Sequence, residues 1–415
     1  MPIGRVRKVH VFPAAAVTRR SDLEVDPRDV GLKVDDVDAI WRRVEAFYAT
    51  GLQPAMGLCI RHRGQVILDR AIGHIRGNTT DGVNHAELVQ ATPESRFSLF
   101  SASKVVVAML IHLFDDRGLL HLDDAVAEYI PGFAKHGKQR ITLRHVLTHR
   151  AGIPAVPMGN LDLDILTDPE AMLDIMCEAK PQTRAGRRLA YHAITGGFVL
   201  GEVLTRVTGK SVRQLVQEEF GEPLGLKGFN YGVLPPELDT VALNTFTGPD
   251  PNRAYQWLLE RSFGVKVQEA VEISNDPRFI TGVIPSANIY SSAEETCRFF
   301  ELLLREGEWG GAQIFSPRTV RRAVVEQTYL ELDTTLMMPV RYGMGFMLGG
   351  QRLSLYGDST PRAFGHIGFT NVLVWADPQR DLSVAFLNNG KPFITLRLLK
   401  WLAISREISR RIPKL

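Results

Sequence analysis

The chain has 415 residues, of which 45% are hydrophobic and 23% are charged, and no low-complexity tract, which excludes a fibrous or largely disordered protein. The formal net charge of +3 is spread along the chain, so we expect no nucleic-acid partner. No apolar run reaches the length of about 18 residues that spans a bilayer, so we expect no transmembrane segment.

Residues 1–33 start with a basic stretch and contain the short apolar run VFPAAAV, which Arg19 and Arg20 close off. That run is shorter than the apolar region of a secretory signal, so we expect a poorly ordered N-terminal extension. The expected location is cytoplasmic, and peripheral contact with a membrane surface stays open because the start is basic. The three cysteines, Cys59, Cys177 and Cys297, lie far apart and predict reduced, buried thiols.

The first predicted elements are a helix over 34–51 and a β-hairpin over 55–77 that turns at RHRG. The polar stretch 75–96 is typical of a loop. The next segment, from Ser101 to Phe114, is apolar on nearly every side and predicts a central buried helix.

The middle of the chain, residues 126–285, has mainly helical spacing, with a long irregular insertion at 235–282. Further helices are predicted at 292–307 and 394–412. Strands are predicted within 342–350, 363–377 and 382–390.

This order predicts an α+β fold whose antiparallel sheet is built from N- and C-terminal segments and flanked by helices. We expect residues 34–125 and 286–415 to form the sheet-containing domain. Residues 126–285 then form a largely helical inserted subdomain, and its 235–282 insertion faces the substrate.

Ser101 and Lys104 form the pattern S-x-x-K at the mouth of the buried helix. Residues three apart share a helix face, so the hydroxyl and the amine can touch. The helix N-terminus favours a developing alkoxide, and a desolvated lysine can accept a proton. S-x-x-K is the nucleophile signature of penicillin-binding proteins and serine β-lactamases.

Taken alone, this pattern is weak. A chain with 17 serines and 12 lysines among 415 residues contains about 0.5 such matches by chance. On spacing alone, a capping serine followed by a lysine that extends to solvent is the favoured explanation.

Further segments occur in a family's order: ITLRHVLTHRAGIP (141–154), AGRRLAYHAITGGFVLGEVLTRVTGKS (185–211), GVIPSANIYSSAEETCRFFELLLREGEWGG (282–311), YGMGF (342–346) and FGHIGFTNVLVWADPQRDLSVAFLNNG (364–390). With the S-x-x-K helix, they resemble the serine β-lactamase and penicillin-binding-protein superfamily. The nearest branch includes family VIII carboxylesterases and class C β-lactamases. The resemblance covers about residues 35–410, without the 75–92 loop and parts of the insertion.

The resemblance implies a role for each matching residue. Ser101 matches the acyl-accepting nucleophile, Lys104 its lysine partner, and Tyr191 the tyrosine of the second motif, Y-x-N. A phenol held between Lys104 and Ser101 is expected to lose its proton well below its usual pKa and to act as general base and acid.

The third motif of the family matches His366-Ile367-Gly368. Gly368 is expected to let a strand approach the substrate closely. The resemblance places the oxyanion hole at the backbone N–H groups of Ser101 and Phe369.

Two positions depart from the lactam-processing relatives. Ala193 stands where those proteins carry an asparagine that holds the substrate amide, and His366 stands where lactamases carry a lysine. Both changes weaken a β-lactamase or peptidase reading and leave ester hydrolysis intact.

We therefore predict a serine esterase that cleaves short to medium acyl esters through a Ser101 acyl-enzyme. Three alternatives stay open: an acyltransferase, a β-lactamase or D-amino-acid peptidase, and a non-catalytic scaffold of the same fold. Within the insertion, three aromatic residues are candidates for the acyl pocket, although ordinary packing is the commoner fate of each: Phe246, Tyr255 and Trp257.

No cofactor is expected, because the chain has neither G-x-x-x-x-G-K-[ST] nor H-E-x-x-H, and the absence of G-x-S-x-G disfavours a nucleophile-elbow hydrolase. The i, i+4 pair His145 and His149 has metal-ligand spacing but no acidic partner nearby, so no metal is expected either. The expected partner is a small-molecule ester.

Overall fold

The computed structural model describes residues 6–155, 163–250, 256, 260, 265–392 and 399–415. Its main sheet contains, in chain order, β1 (Thr18–Arg20), β2 (Ala55–His62), β3 (Gln65–Arg76), β4 (Thr328–Asp333), β5 (Met338–Tyr342), β6 (Met347–Leu348), β7 (Phe364–Ile367), β8 (Leu373–Asp377) and β9 (Leu382–Asn388). The strands lie in the order β1-β3-β2-β9-β8-β7-β6-β5-β4, and each neighbouring pair is antiparallel. Val89–Gln90 adds a short strand beside β3.

The sheet joins the two ends of the chain at its centre. Strand β2 pairs with β9 over seven residues, from His62 opposite Leu382 to Met56 opposite Asn388. Strands β8 and β9 are buried along their whole length, which explains why they are close to continuously apolar rather than alternating. The predicted fold class is confirmed: an antiparallel sheet from N- and C-terminal segments, flanked by helices.

Within the described residues, six longer helices cover the sheet and build the helical part: α1 (Val34–Tyr48), α2 (Lys104–Asp116), α3 (Pro169–Glu178), α4 (Thr195–Thr208), α5 (Ala293–Leu304) and α6 (Leu399–Arg411). Helix α1 buries residues three and four apart, such as Val37, Ile40 and Val44, against one sheet face, where α6 also packs. Helices α2 and α5 belong to the core on the other face. Helix α2 is buried from Lys104 to Phe114, as predicted.

Shorter elements connect these helices and strands. The short α-helices are Ala14–Val17, Val126–Tyr129, Leu143–Leu147, Leu163–Leu166, Val212–Val216, Glu222–Leu224, Val267–Ile273, Pro277–Thr281 and Pro317–Ala323. The 3₁₀ turns are Pro27–Val30, Phe100–Ser103, Pro131–Gly137 and Pro235–Thr240, and Gln217–Gly221 is a π-helical turn. The small sheets pair Phe97–Ser98 and Asn230–Tyr231 with Ile289–Ser291, Thr245–Thr247 with Gly390–Pro392, Glu308–Trp309 with Ala312–Gln313, and Asn78–Thr79 with Gly82–Val83.

The N-terminal extension differs from its prediction. Residues 6–33 are folded against the body rather than poorly ordered: β1 pairs with β3, and Val17, Val30 and Leu32 are buried in the core shared with α1. The backbone N–H of Val9 also donates to Gly51 O at 2.9 Å. A strand of three residues is too short to show a period in the sequence, which is why composition alone misled the prediction.

The insertion (235–282) is tied to the body through its described strand, and a second strand just before the insertion is tied to the body in the same way. Thr245–Thr247 runs parallel to Gly390–Pro392, and the preceding strand Asn230–Tyr231 pairs with Ile289–Ser291. The division into a sheet domain and a helical subdomain stays a prediction. The three cysteines are buried free thiols. Among the described residues, no helix is long and apolar enough to cross a bilayer.

Candidate active site

Ser101 lies in the 3₁₀ turn Phe100–Ser103, which runs directly into α2. The turn is fixed from one side, where Leu99 N donates to Ile289 O at 2.8 Å and Ile289 N donates to the Ser103 hydroxyl at 3.0 Å. Phe100 has φ of +47°, a conformation that costs a residue with a Cβ about 1–2 kcal/mol. The sequence predicted the helix from Ser101 itself; the structure places the serine in the tighter turn before it.

Lys104 occupies the first position of α2, and its side chain reaches back to Ser101. Its Nζ donates to the Ser101 Oγ at 3.1 Å and to the carbonyl oxygen of Ser286 at 2.9 Å. The side chain is only 7% exposed, so a lysine that extends to solvent is not what the structure shows. Burial lowers the pKa of Lys104 to about 7, because desolvation disfavours the ammonium form. Near neutral pH, much of Lys104 is therefore a neutral amine.

Ser286 is a site residue that sequence analysis missed. Its carbonyl accepts from Lys104, and its hydroxyl donates to Ile194 O and accepts from Gly197 N at 3.1 Å, at the start of α4. A Cβ on Gly197 would lie 2.3 Å from the Ser286 Oγ, so only glycine allows this approach. A backbone carbonyl leaves no mark in a sequence pattern, and Ser286 stood inside a matched segment without a role.

Tyr191 is brought to the same place by the segment before α4. The Lys104 Nζ lies 5.1 Å from the centroid of the Tyr191 ring, and the phenol hydrogen-bonds with the Ser101 side chain. Burial nevertheless raises the pKa of Tyr191 well above its usual value, and this outweighs the hydrogen bond, which lowers it. The expectation of a phenol that ionises well below its usual pKa is therefore wrong: Tyr191 keeps its proton and Lys104 has the lowered pKa.

Two buried side chains hold Tyr191 in position. The Asp333 carboxylate, at the β4–β5 turn, accepts from Tyr191 N at 3.0 Å and from Thr335 N and Leu336 N. The His149 ring packs 4.7 Å from the Tyr191 ring. Asp333 was also missed, because it lies 142 residues from Tyr191 and no local pattern joins them.

His366 lies on β7 opposite Tyr191, with the two ring centroids 6.2 Å apart. Its Nδ1 donates to Ile367 O at 2.7 Å. Burial first, and then repulsion by Lys104, lower the pKa of His366 to about 3, so the imidazole is neutral near pH 7. The fixed positive charge that lactamases place here is absent from this position.

Gly368 directly follows β7 and lies against the segment that leads into the Ser101 turn. A Cβ on Gly368 would lie 2.4 Å from Leu99 O, so this glycine allows a close approach to the segment that leads into Ser101. Its close approach to the substrate stays a prediction. The next residue, Phe369, packs its ring 5.4 Å from that of Phe100. The turn that bears Phe369 therefore lies beside the turn that bears Ser101. An oxyanion hole made by the N–H groups of these two residues stays a prediction.

The candidate acyl pocket is described only in part. Phe246 is buried in a small apolar cluster with Val267 and Val271, and Phe369 packs against that cluster. Phe246 is thus one packing layer away from the predicted oxyanion hole. Tyr255 and Trp257 lie outside the described residues.

The two histidines with metal-ligand spacing have separate partners. Thr142 N donates to the His145 Nδ1 at 3.1 Å, and His192 N donates to the His149 Nδ1 at 3.2 Å. Over the described ranges, no group of three or more His, Cys, Asp or Glu side chains is placed to hold a metal ion. The groups that the structure brings together around Ser101 are a serine hydroxyl, a buried amine, a phenol and a neutral imidazole.

Comparison with known proteins gives the family. A family model described as Beta-lactamase matches residues 42–406. The esterase/beta-lactamase LipL of Mycobacterium tuberculosis is 28% identical over 317 residues, which cover 74% of this chain and 72% of LipL.

Solved structures agree with that match. A penicillin-binding protein homologue from Caulobacter crescentus superposes with a TM-score of 0.77 at 26% identity, covering 91% of this chain and 98% of the homologue. A family VIII carboxylesterase shares the fold, with a TM-score of 0.76 at 22% identity, covering 90% of this chain and 98% of the esterase. The resemblance inferred from the motifs is confirmed, and the chain belongs to the beta-lactamase family, as a serine hydrolase built on that family's fold.

Proposed function

We propose that this protein is a carboxylic ester hydrolase that works through an acyl-enzyme on Ser101. The observation that carries the proposal is the Lys104 amine, which is buried, has a pKa lowered to about 7, and lies 3.1 Å from the Ser101 Oγ. No carboxylate among the described residues forms an ion pair with Lys104. A neutral amine at hydrogen-bond distance from a serine is a general base for that serine.

Acylation follows from this geometry. The Ser101 Oγ attacks the ester carbonyl carbon, and its proton passes to the Lys104 Nζ. The carbonyl oxygen becomes an oxyanion, for which the backbone N–H groups of Ser101 and Phe369 are the proposed donors. The C–O bond to the leaving group then breaks. Tyr191 is protonated before the reaction. It gives its proton to the departing alkoxide and takes one back from the Lys104 ammonium.

Deacylation repeats the sequence with water. A water molecule attacks the acyl carbon and loses a proton to the neutral Lys104. The bond to the Ser101 Oγ breaks, and that oxygen recovers a proton through Tyr191, so the carboxylic acid leaves and the enzyme returns to its first state. Lys104 acts as the base in both halves, and Tyr191 carries protons without becoming the stable anion.

The substrate assignment rests on the two departures from lactam-processing relatives. Ala193 has no side-chain amide, so a substrate amide would be left unpaired at a cost of about 1–3 kcal/mol. The neutral His366 supplies no fixed charge for a lactam carboxylate. An ester asks for neither contact. LipL, an esterase/beta-lactamase, fits ester cleavage but does not separate it from lactam cleavage, so the assignment rests on Ala193 and His366.

The test is a hydrolysis screen of p-nitrophenyl esters from acetate to hexanoate beside a chromogenic cephalosporin. We expect ester turnover to exceed cephalosporin turnover by orders of magnitude. Comparable turnover would put a β-lactamase first. Added short alcohols that divert the acyl group into new esters, at the expense of free acid, would put an acyltransferase first.

A further inference from the structure

Lys391 is a second buried lysine beside the nucleophile, in the strand Gly390–Pro392 that follows β9. Its side chain is fully buried. The Nζ donates to Asn388 O at 2.7 Å and is 3.3 Å from the Asn388 Oδ1, and it lies 4.8 Å from the centroid of the Phe100 ring. In the described part of the chain, no carboxylate forms an ion pair with it. An uncompensated amine in this place is costly, whereas a methionine of similar length would fill the space without that cost.

Lys391 contacts the ring of Phe100, the residue that directly precedes Ser101. Phe100 adopts the left-handed conformation with φ of +47°, and so needs its surroundings to hold it there. The Nζ lies over the face of the ring, where an ammonium is attracted by the ring quadrupole and the N–H of a neutral amine makes a weaker contact. Lys391 therefore holds the Phe100 ring, and with it the direction of the Ser101 N–H.

Through Asn388, Lys391 is also connected to Phe369, whose backbone N–H is the other predicted oxyanion donor. The Asn388 Nδ2 donates to Asn371 O at 3.0 Å, and Asn371 N donates to Phe369 O at 3.1 Å. These bonds fix the tight turn after β7, which Gly368 N closes by donating to Val372 O at 2.8 Å. One lysine side chain is thus joined both to the turn that bears Ser101 and to the turn that bears Phe369.

We propose that Lys391 is a positioning residue that keeps the two backbone donors of the oxyanion hole at the correct separation, through Phe100 on one side and Asn388 on the other. It touches neither the substrate nor the reacting atoms. The inference rests on the proposed function, because it gives the Ser101 and Phe369 N–H groups their role in ester cleavage.

The chain supplies a matched control. Lys138 is also fully buried, donates to two carbonyls, Cys177 O at 2.8 Å and Ala179 O at 2.5 Å, and lies 5.2 Å from the Phe133 ring centroid. The Lys138 amine lies at the C-terminal end of α3, and none of these partners is a candidate catalytic residue. Lys391→Met and Lys138→Met therefore each remove an amine with no solvent exposure that donates to backbone carbonyl oxygen beside a phenyl ring.

The experiment compares kcat and KM for p-nitrophenyl acetate in the two variants, with thermal unfolding of each. Misplacing a donor by about 1 Å costs on the order of 100-fold in rate, so Lys391→Met should lower kcat by about 10- to 100-fold and change KM by less than about threefold. Lys138→Met should keep kcat within about twofold of the unmodified protein. Equal kcat values in the two variants would overturn the proposal.

Phe100→Leu covers the case in which Lys391→Met does not fold. It keeps the lysine and removes the ring, so it should also lower kcat with little change in KM, and an unchanged kcat would exclude the link through Phe100. If the unmodified protein turns over no ester, the proposed function fails by itself. The rate at which a fluorophosphonate labels Ser101 then replaces kcat, and an equal labelling rate in Lys391→Met and Lys138→Met contradicts the positioning role.

Discussion

The two sides of the turn Phe100–Ser103 contain the same residue types, but in different surroundings. On one side, the Ser103 hydroxyl accepts from Ile289 N at 3.0 Å, and the Tyr231 hydroxyl donates to Ser103 O at 2.8 Å. On the other side, the Ser101 hydroxyl meets the Lys104 amine at 3.1 Å and the Tyr191 phenol. Each side therefore has a serine and a buried tyrosine.

The difference lies in the partners. On the Ser103 side, backbone groups satisfy the polar side chains, and a peptide N–H or C=O neither gives up nor takes a proton near neutral pH. On the Ser101 side, the partners are titratable side chains, one of them with a pKa lowered to about 7. The two serine hydroxyls therefore differ in their surroundings: titratable side chains contact Ser101, whereas backbone groups contact Ser103 and hold the turn in place.

The largest contrast should come from the two serines. Ser101→Ala removes the nucleophile and should abolish ester turnover with little loss of stability. Ser103→Ala should keep turnover within a few-fold and lower the free energy of unfolding by about 1–3 kcal/mol, because Ile289 N is left without its acceptor. Rates with p-nitrophenyl acetate and urea unfolding check both. A fluorophosphonate label found by mass spectrometry on a residue other than Ser101 would contradict the assignment.

The next contrast is between the partners of those serines. Lys104→Met and Tyr191→Phe should each lower kcat by about 100-fold or more, as expected for loss of a general base or acid. Their double variant should lose far less than the product of the single losses, because the two groups act as a unit. Tyr231→Phe, the matched change on the supporting side, should leave kcat unchanged. Losses that multiply in the double variant would argue against a shared proton path.

The pH dependence of the rate should report Lys104 alone. Its pKa is lowered to about 7 and its neutral form is the base, so kcat/KM should fall about tenfold per pH unit below 7 and level off above it. Product acid is measured by chromatography, so that ionisation of p-nitrophenol does not enter. Fluorescence at each pH confirms that the protein stays folded. A rate that stays level down to pH 5 would remove Lys104 as the base.

The smallest effect is expected at the acyl end of the site. Phe246→Ala empties part of the cluster that packs against Phe369 and should move the preferred p-nitrophenyl ester toward longer acyl chains, by several-fold in kcat/KM. One methylene in an apolar pocket is worth about 1–3 kcal/mol, which sets that scale. An unchanged chain-length profile would leave the esterase proposal standing and remove Phe246 from the acyl pocket.

Sequence patterns predicted the elements that are long enough to show a regular apolar repeat. The hairpin β2–β3, the buried helix α2 and the strand β9 were all evident, because a core face repeats along each of them. Strand β1 was not, since three residues carry no period. The family motifs supplied Ser101, Lys104 and Tyr191, and the structure brings all three together.

The parts of the site that were missed depend on distance along the chain and on burial. Ser286 contributes a backbone carbonyl 182 residues from Lys104, and Asp333 holds a backbone N–H 142 residues away. The sign of the Tyr191 pKa shift was wrong, because it follows from how completely the phenol is buried, which no motif states. Long-range backbone contacts and the degree of desolvation are properties of the folded chain rather than of local sequence.

The pairing of β2 with β9 has a consequence for how the enzyme is made. Residues 56 and 388 are direct neighbours in the sheet, and β7, which bears His366 and ends just before Gly368, is joined to β2 through β8 and β9. At a translation rate of about 5–20 residues per second, the ribosome needs on the order of 15–60 s to go from Ser101 to the end of β9. During that time Ser101 has been synthesised, but β7, which brings His366 to the site, has not yet entered the sheet. The site can therefore be complete only after β7, β8 and β9 have been synthesised and have entered the sheet.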